Sequence, residues 1–378
     1  MGSPLAEHLE QLALVDHHVH GTWTQDADPA RIANAFNEAD TAPLADPTSA
    51  WDTQLGFAVR RWCAPLLDLE PHASPETYLQ RRAELGELEV ARRLIAPTNV
   101  SDWLVDTGWS EGLTSPDGLA ALGGGTGRTI VRLETLAESL LPTLVDAGDW
   151  AEAFGAAVDE AARTCVGFKS VIAYRSGFAV DLTPPAPEAV AEAARRWHAG
   201  LEDGRAPRLD DPTLIVSGLY AALRTHRPLQ LHVGFGDRDL DLASVDPLLL
   251  TDLLRRPEVR GVPVMLLHCY PYERHAGYLA QAFPEVYLDV GLATHFLGAR
   301  GVGVVARSLE LAPFRQVLYS SDAAGPAELH HLGARLWRHS MTQVLGGWVD
   351  AGEWSLDDAR RVATLVGRDN ARRAYDLD

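Results

Sequence analysis

Short apolar runs alternate with helical stretches along most of the chain, and this alternation constrains the fold more than any other feature. The apolar runs fall at 12–16, 129–133, 166–168, 228–231, 264–267, 286–290 and 316–320. Helical patterns such as 149–163, 187–199 and 246–255 lie between them. Nearly continuous apolar runs are typical of strands buried on both faces. The alternation therefore predicts a parallel sheet of βα units.

A weaker run at 94–100 lies between the first and second of these runs and brings the count to eight. Eight βα units close into a (β/α)8 TIM barrel, and such barrels exceed the usual length of one domain. We therefore expect residues 1–378 to form a single barrel domain. An open doubly wound sheet is disfavoured because the glycine cluster at 123–127 precedes a strand run, whereas a phosphate-binding loop follows one.

Residues from about 40 to 93 do not form the pattern of a single crossover helix. Trp51, Leu55, Val59, Trp62 and Leu66 recur at helical spacing, and a second helical pattern follows at 75–93. This predicts a helical insertion between strands 1 and 2. Its apolar stripe is expected to pack on the barrel, with a role as a lid as the alternative.

The charge balance restricts the partners of the chain. With 52 acidic and 33 basic residues the formal net charge is −19, which disfavours nucleic acid and anionic membranes.

Cys63, Cys165 and Cys269 lack paired spacing, so we expect no disulfides and a cytoplasmic protein. Residues 1–11 contain no basic run, and no apolar run is long enough to span a membrane, so we expect neither a secretion signal nor a membrane segment. A small-molecule substrate is the expected partner, and a homo-oligomer is left open.

Histidines and one carboxylate follow the strand runs. Alternation along a strand places His18 and His20 on the same face. His232 and His268 each follow an apolar run directly, and Asp322 ends the last run. In a barrel these strand ends meet at the mouth that carries the active site. The five residues therefore predict a divalent metal site for zinc, manganese or iron, with Asp322 also able to accept a proton.

Other polar residues follow the same strand ends. Arg175 lies after the fourth run and Glu134 after the third, and we expect both to contact substrate, with a surface ion pair as the alternative. Tyr270, Tyr272 and His295 follow the sixth and seventh runs. They are candidate pocket walls, with packing inside the loops as the alternative.

The order HxH, His, His, Asp resembles the amidohydrolase superfamily. Segments 167–170, 173–177, 268–272, 276–280, 287–291 and 319–323 resemble more narrowly the amidohydrolase-like domain fused to glutamine-synthetase-like proteins in fungi and plants. The resemblance implies one or two divalent ions, most often zinc. It also implies hydrolysis of a C–N bond in a small polar molecule, such as a gamma-glutamyl amide, by a metal-activated water. Asp322 would be the general base, and His268 would belong to the catalytic set.

The resemblance also bears on Lys169, which ends the fourth strand run. Binuclear members of the superfamily carry at this position a carboxylated lysine that bridges two metals. A lysine that loses its charge on burial can react with carbon dioxide in this way. Two alternatives remain: an ammonium that binds a substrate carboxylate, and a structural salt-bridge partner.

Two other functional classes remain open. Barrels with the same ligand order and a single metal also carry out decarboxylation or lyase chemistry. A regulatory barrel without turnover would be expected to lack one of the ligands, and none of the expected ligands is missing.

Overall fold

The computed structural model describes residues 3–38, 43–109 and 111–377. Within them, seven parallel strands form one sheet in which each strand pairs with the next along the chain. The strands are β1 (Leu14–Val19), β2 (Val100–Asp106), β3 (Thr126–Arg132), β4 (Gly167–Ser170), β5 (Leu229–Val233), β6 (Val264–His268) and β7 (Val286–Leu288). The prediction of a parallel βα sheet is confirmed.

Residues 317–323 close the sheet between its two edges. Leu318 N donates to Leu288 O of β7 at 2.9 Å. On the other side, Asp322 N donates to His18 O at 3.0 Å and His20 N donates to Ala323 O at 2.9 Å. The run predicted as a regular eighth strand at 316–320 is therefore a closing segment with one parallel bridge, at Val317. Asp322 also departs from extended geometry, with a φ of 50°. The result is a TIM-barrel-like fold.

Helices surround this sheet. They are α1 (Pro4–Gln11), α2 (Pro29–Ala35), α3 (Gln54–Ala58), α4 (Pro75–Leu85), α5 (Glu87–Ile95), α6 (Pro116–Gly123), α7 (Leu133–Leu140), α8 (Trp150–Ala161), α9 (Ile172–Arg175), α10 (Pro187–Glu202), α11 (Pro212–Arg224), α12 (Thr251–Leu254), α13 (Glu273–Ala282), α14 (Gly291–Phe296), α15 (Gly301–Ser308), α16 (Ala327–Asp350), α17 (Leu356–Thr364) and α18 (Asn370–Tyr375). Many begin with a side-chain cap followed by proline, as in α4, where Ser74 Oγ accepts from Thr77 N.

The second strand lies later in the chain than predicted. Residues 94–95 end α5, and β2 begins at Val100. The strand contains Asp102 and Asp106, which break its apolar pattern. Both carboxylates are paired from β3, Asp102 with Arg128 at 3.0 Å and Asp106 with Arg132 at 2.6 Å. This cross-strand pairing allows the two acidic residues to lie in a buried strand.

Between β1 and β2 the described chain is largely helical, and it includes α2 to α5. The predicted start of the insertion, at about 40, lies outside the described residues. The described helices of this segment run from Pro29 to Ile95, and a short 3-10 turn, Ala96–Thr98, follows them. Trp51, Leu55 and Val59 of the predicted stripe are buried in the main core. Their burial agrees with the expectation that the apolar stripe packs on the barrel.

The apolar core has two parts. The larger part fills the space between the sheet and the surrounding helices. The smaller part contains Val15, Leu104, Ile130, Met265 and other residues that alternate with outward-packed neighbours, which places it inside the barrel. The C-terminal residues Tyr375 and Leu377 pack into this smaller part. Polar residues at the strand ends lie above it and form the site described next.

The three cysteines lie in the interior of the described structure. Cys63, Cys165 and Cys269 are buried free thiols. None of the described helices combines the length and the apolar composition needed to cross a membrane.

Candidate metal centre and active-site cavity

His18, His20 and Asp322 meet at the strand ends. His18 Nε2 lies 2.9 Å and His20 Nε2 lies 3.6 Å from Asp322 Oδ1. One ligand atom from each of the three residues lies within 4.8 Å of the others. Two imidazole nitrogens and a carboxylate oxygen are a common donor set for zinc, manganese or iron. The three residues can therefore hold a divalent ion.

Hydrogen bonds behind the two histidines fix which ring nitrogen faces the centre. His20 Nδ1 lies 3.1 Å from the carbonyl oxygen of Asp106, which can only accept, so Nδ1 carries the proton. His18 Nδ1 donates in the same way to Gln230 Oε1 at 2.8 Å. Both Nε2 atoms therefore present a lone pair towards Asp322. This is the arrangement in which outer hydrogen bonds orient histidine ligands of a metal.

His232 and His268 extend the cluster from β5 and β6. The ring of His268 lies 5.5 Å from that of His18 and 4.6 Å from that of His232. His268 Nδ1 lies 3.4 Å from Asp322 Oδ2. His232 Nε2 and His268 Nδ1 are buried and have no hydrogen-bond partner among the described residues. Buried nitrogens without a partner are costly, and a bound cation would satisfy them.

The electrostatics of the cluster suit a cation. Burial lowers the pKa of His20 to about 4 and lowers the pKa values of His18, His232 and His268 well below the usual value. Neutral imidazole is the form that binds metals. Burial raises the pKa of the Asp322 carboxyl to about 6. The residues present therefore fit a divalent ion.

The backbone at two of these residues adopts a conformation that L-residues seldom take. The φ of His268 is 70° and that of Asp322 is 50°, and such positions cluster at functional sites. Buried carboxylates hold both segments: Asp289 Oδ1 accepts from His268 N at 3.0 Å, and Asp16 Oδ1 accepts from Ser321 N at 2.9 Å. The tertiary structure thus compensates the local strain.

Lys169, on β4, is the only lysine of the chain. Its Nζ lies 3.1 Å from His18 Nε2, and the side chain is buried. Burial lowers the pKa of this amine. Within the described residues no carboxylate lies at salt-bridge distance from Nζ, so the structure does not support the alternative of a structural ion pair. Lys169 lies beside the candidate metal ligands.

A cavity of about 680 Å³ opens above this cluster. His20, Lys169, His232, His268 and Asp322 lie in its wall. The wall also contains four arginines, together with aromatic and acidic residues from the loops: Arg31, Arg132, Arg175, Arg208, Trp23, Trp109, Tyr174, Asp237 and Asp239. The cavity is large enough for a small polar substrate.

Two of these arginines differ in how many of their hydrogen-bond donors have a partner. Arg132 binds Asp106 through Nε at 3.1 Å and Nη2 at 2.6 Å. Arg175 uses Nη2 for Glu138 at 3.1 Å, whereas its buried Nε and Nη1 have no partner among the described residues. Burial lowers the pKa of Arg175. Arg175 thus retains two donors for a ligand.

The remaining predicted site residues do not line this cavity in the described structure. Glu134 is buried, and its Oε1 accepts from Ser170 Oγ at 2.6 Å and Val171 N at 3.0 Å. Tyr272 donates its hydroxyl to Leu242 O at 2.8 Å. His295 is buried against Phe296, and Tyr270 lines a neighbouring cavity. This placement does not support substrate contact in the main cavity for these four residues.

Sequence reasoning missed several residues of the site. Arg132 ends β3, and the rule that selected His232 and His268 at strand ends also selects it. Gln230 lies inside the barrel and orients His18, but a glutamine within an apolar run carries no distinct signal. Arg31 and Arg208 reach the cavity from loops and helices far away in sequence. No sequence pattern marks them.

A parallel barrel with a histidine and aspartate centre at its carboxyl end defines a class of metal-dependent enzyme folds. The model of the amidohydrolase family matches residues 137–377, which is more than half of the chain. The chain belongs to the amidohydrolase family.

Individual relatives agree with this assignment. Protein fluG of Emericella nidulans is 32% identical over 284 residues, which are 66% of this chain and 32% of that protein. The chain therefore spans about a third of the length of this curated relative. A provisionally assigned metal-dependent hydrolase of Lactobacillus casei ATCC 334 has a similar structure, with a TM-score of 0.84, 28% identity, and coverage of 99% of this chain and 97% of that chain.

More distant structures share the fold alone. A uronate isomerase of Thermotoga maritima has a TM-score of 0.59 at 13% identity and covers 98% of this chain and 96% of its own. A uronate isomerase of Bacillus halodurans C-125 has a TM-score of 0.60 at 13% identity, with 98% and 95% covered.

Proposed function

We propose that this protein is a metal-dependent hydrolase that cleaves the amide bond of a small substrate bearing a carboxylate, with a gamma-glutamyl amide as the candidate. The observation that carries the proposal is the position of Asp322, between the neutral histidines and a cavity whose wall is rich in arginine. The family and the relative from Lactobacillus casei support hydrolysis. The resemblance to domains fused to glutamine-synthetase-like proteins supports a gamma-glutamyl group as the acyl half of the substrate.

One or two divalent ions would be held by six residues: His18, His20, Lys169 as a carbamate, His232, His268 and Asp322. When bound, the ion supplies Lewis acidity to a carbonyl oxygen and lowers the pKa of a water. Asp322 takes the proton that the attacking water loses and returns it to the leaving nitrogen. Asp289 and Asp16 hold the backbone of the segments that carry His268 and Asp322.

Arg175 orients the substrate in this proposal. Its Nε and Nη1 lack partners, so either nitrogen can still donate to a substrate carboxylate, whose negative charge the guanidinium complements. Glu138 holds the third nitrogen at 3.1 Å and so fixes the plane of the group. Arg208 also lies in the wall and adds positive charge.

The test is an assay of metal-loaded protein against a panel of gamma-glutamyl amides, with glutamate and free amine measured as products. We expect release of both in equal amounts, and loss of turnover after chelation with recovery on adding zinc or manganese. A panel that includes amides without a carboxylate serves as the control for Arg175. Decarboxylation or isomerisation of an acid without cleavage of any C–N bond would overturn the proposal.

A further inference from the structure

A second, smaller cavity adjoins the main one. Its volume is about 300 Å³, and both cavities have Asn37, Glu38 and Phe296 in their walls. The remaining wall of this side cavity consists of Phe36, Thr53, Leu55, Phe235, Tyr270, Ala293 and Leu297. These residues lie in or beside α3 and α14, or follow α2, β5 and β6. The side cavity therefore lies at the same end of the barrel as the metal centre.

Aromatic rings form much of the side cavity. Phe235 meets Tyr270 edge to face at 6.2 Å and Phe296 at 5.6 Å between ring centroids. All three rings are only half-buried, so part of each ring's surface remains open. An apolar cavity of about 150 Å³ can hold a benzene ring, so one ring on a short alkyl chain fits the volume here.

The charges of the two cavities differ. The main wall contains charged side chains of both signs: Arg31, Arg132, Lys169, Arg175 and Arg208, and also Glu38, Glu111, Asp237, Asp239 and Asp322. The side wall contains no lysine, arginine or histidine among the described residues, and Glu38 is its one carboxylate. A charged or polar group is therefore favoured in the main cavity, whereas an apolar group is favoured in the side cavity.

We propose that the side cavity binds the amine half of the substrate, and that this half is a single aromatic ring on a short alkyl chain. This inference rests on the proposed function and names the substrate class more closely. The acyl half places its carboxylate at Arg175, the scissile amide lies at Asp322, and the ring of the leaving amine packs against Phe235 and Phe296. The ring adds affinity by leaving water.

The test compares gamma-glutamyl-2-phenylethylamide with gamma-glutamylmethylamide. We expect kcat/KM of metal-loaded wild-type protein to be at least tenfold higher for the phenylethyl compound. Ala293→Leu places additional carbon atoms in the side cavity from α14. This substitution should reduce the ratio to near one, while the metal content stays that of the wild-type protein. Equal kcat/KM values for both amides in wild-type protein would overturn the inference and leave the proposed hydrolysis standing.

Ala293 is fully buried, so the larger side chain of Ala293→Leu can disturb folding. A second variant therefore tests the same cavity from another position. Leu297→Trp fills the side cavity from a half-buried position and should reduce the ratio in the same way. Leu201→Trp is the matched control: it is a half-buried leucine on α10, outside both cavity walls, and should keep the wild-type ratio. A wild-type ratio in Leu297→Trp would contradict the inference.

Calorimetric binding separates this inference from the proposed function. If neither amide is hydrolysed, but the phenylethyl compound binds at least tenfold more tightly than the methylamide and Leu297→Trp removes the difference, the side cavity is supported and hydrolysis is overturned. If neither compound binds nor reacts, both proposals are overturned.

Discussion

Gln230 shows how single hydrogen bonds prepare the candidate metal centre. Its Oε1 accepts from His18 Nδ1 at 2.8 Å, while its Nε2 donates to His17 O at 2.7 Å and contacts Tyr375 Oη at 2.8 Å. A carbonyl can only accept, so the amide has one possible orientation here. That orientation leaves His18 Nε2 without a proton and available to a metal.

At the same scale, we predict that Asp322→Asn lowers kcat by about 10²- to 10⁴-fold, the usual contribution of a general base. The amide keeps the shape of the carboxylate but cannot take the proton. Turnover of the panel substrate and circular dichroism measure activity and fold. Asp239→Asn, in the cavity wall but on the exposed loop after β5, is the control and should retain activity. Near wild-type turnover of Asp322→Asn would identify another base.

Lys169 permits an unusually clear test because the chain has no second lysine. We predict that protein with metal and ¹³C-bicarbonate shows one carbamate carbon signal by NMR that is lost in Lys169→Ala. Metal content should fall from about two ions per chain towards one in the variant, and short-chain carboxylic acids should partly restore activity. Any signal from the N-terminal amine persists in the variant and so serves as an internal control. A wild-type protein that binds one ion at saturating metal and bicarbonate contradicts the bridge.

At the scale of elements, a buried ion network ties α4 to α16. Arg82 binds Glu87 through two nitrogens at 2.8 and 2.9 Å and Glu328 through Nε at 2.8 Å. Tyr78 donates to the same Glu328 at 2.9 Å. The guanidinium also lies 5.8 Å from the ring of Trp23, which lines the main cavity. The network connects the helical segment between β1 and β2 to a wall of the site.

We predict that Arg82→Met lowers the free energy of unfolding by about 3–5 kcal/mol, because two buried carboxylates lose their counter-charge. Urea unfolding followed by circular dichroism measures the change. Arg81→Met is the matched control: the neighbouring arginine pairs with exposed Asp68 and Glu84, and its loss should cost no more than about 1 kcal/mol. Equal losses in the free energy of unfolding would show that the buried network stabilises the fold no more than the exposed ion pairs do.

At the scale of the whole molecule, the metal centre joins distant parts of the chain. The five candidate ligands come from β1 and the residue after it, from β5 and β6, and from the closing segment at 317–323. A bound ion therefore links the β1 edge of the sheet to two inner strands and to the closing segment. Such an ion binds the folded chain and has no preformed site in the unfolded one. Binding therefore adds to the stability of the fold.

We predict that zinc or manganese raises the Tm of chelator-treated protein, with a stabilisation of about 2.7 kcal/mol at a metal concentration a hundred times Kd. Differential scanning fluorimetry over a range of metal concentrations measures it. His232→Ala should reduce the shift. His339→Ala, on α16 where the ring contacts Trp62 and Gln343, should leave it unchanged. Equal Tm values with and without metal would contradict a metal centre built from these residues.

The sequence alone located most of the fold. Strands β1 and β3 to β7 lie within a few residues of the predicted runs, because strands buried on both faces need nearly continuous apolar residues. The sequence also indicated His18, His20 and Asp322 as candidate metal ligands, and the structure brings them together. This was possible because the carboxyl ends of parallel strands meet at one mouth of the barrel, whatever the sequence of the connecting loops. Whether a residue follows a strand run is a local property, so it can be recognised in the sequence.

Other features were decided only by the tertiary structure. The place of β2 depends on ion pairs from β3. The irregular closing segment depends on the carboxylates of Asp16 and Asp289, which accept hydrogen bonds from Ser321 and Ser320 within it. The cavity walls depend on residues such as Arg208 and Phe296, which lie far apart in the chain. These contacts join residues with no fixed sequence spacing. The energies that select them arise from burial and pairing between elements, which no local pattern contains.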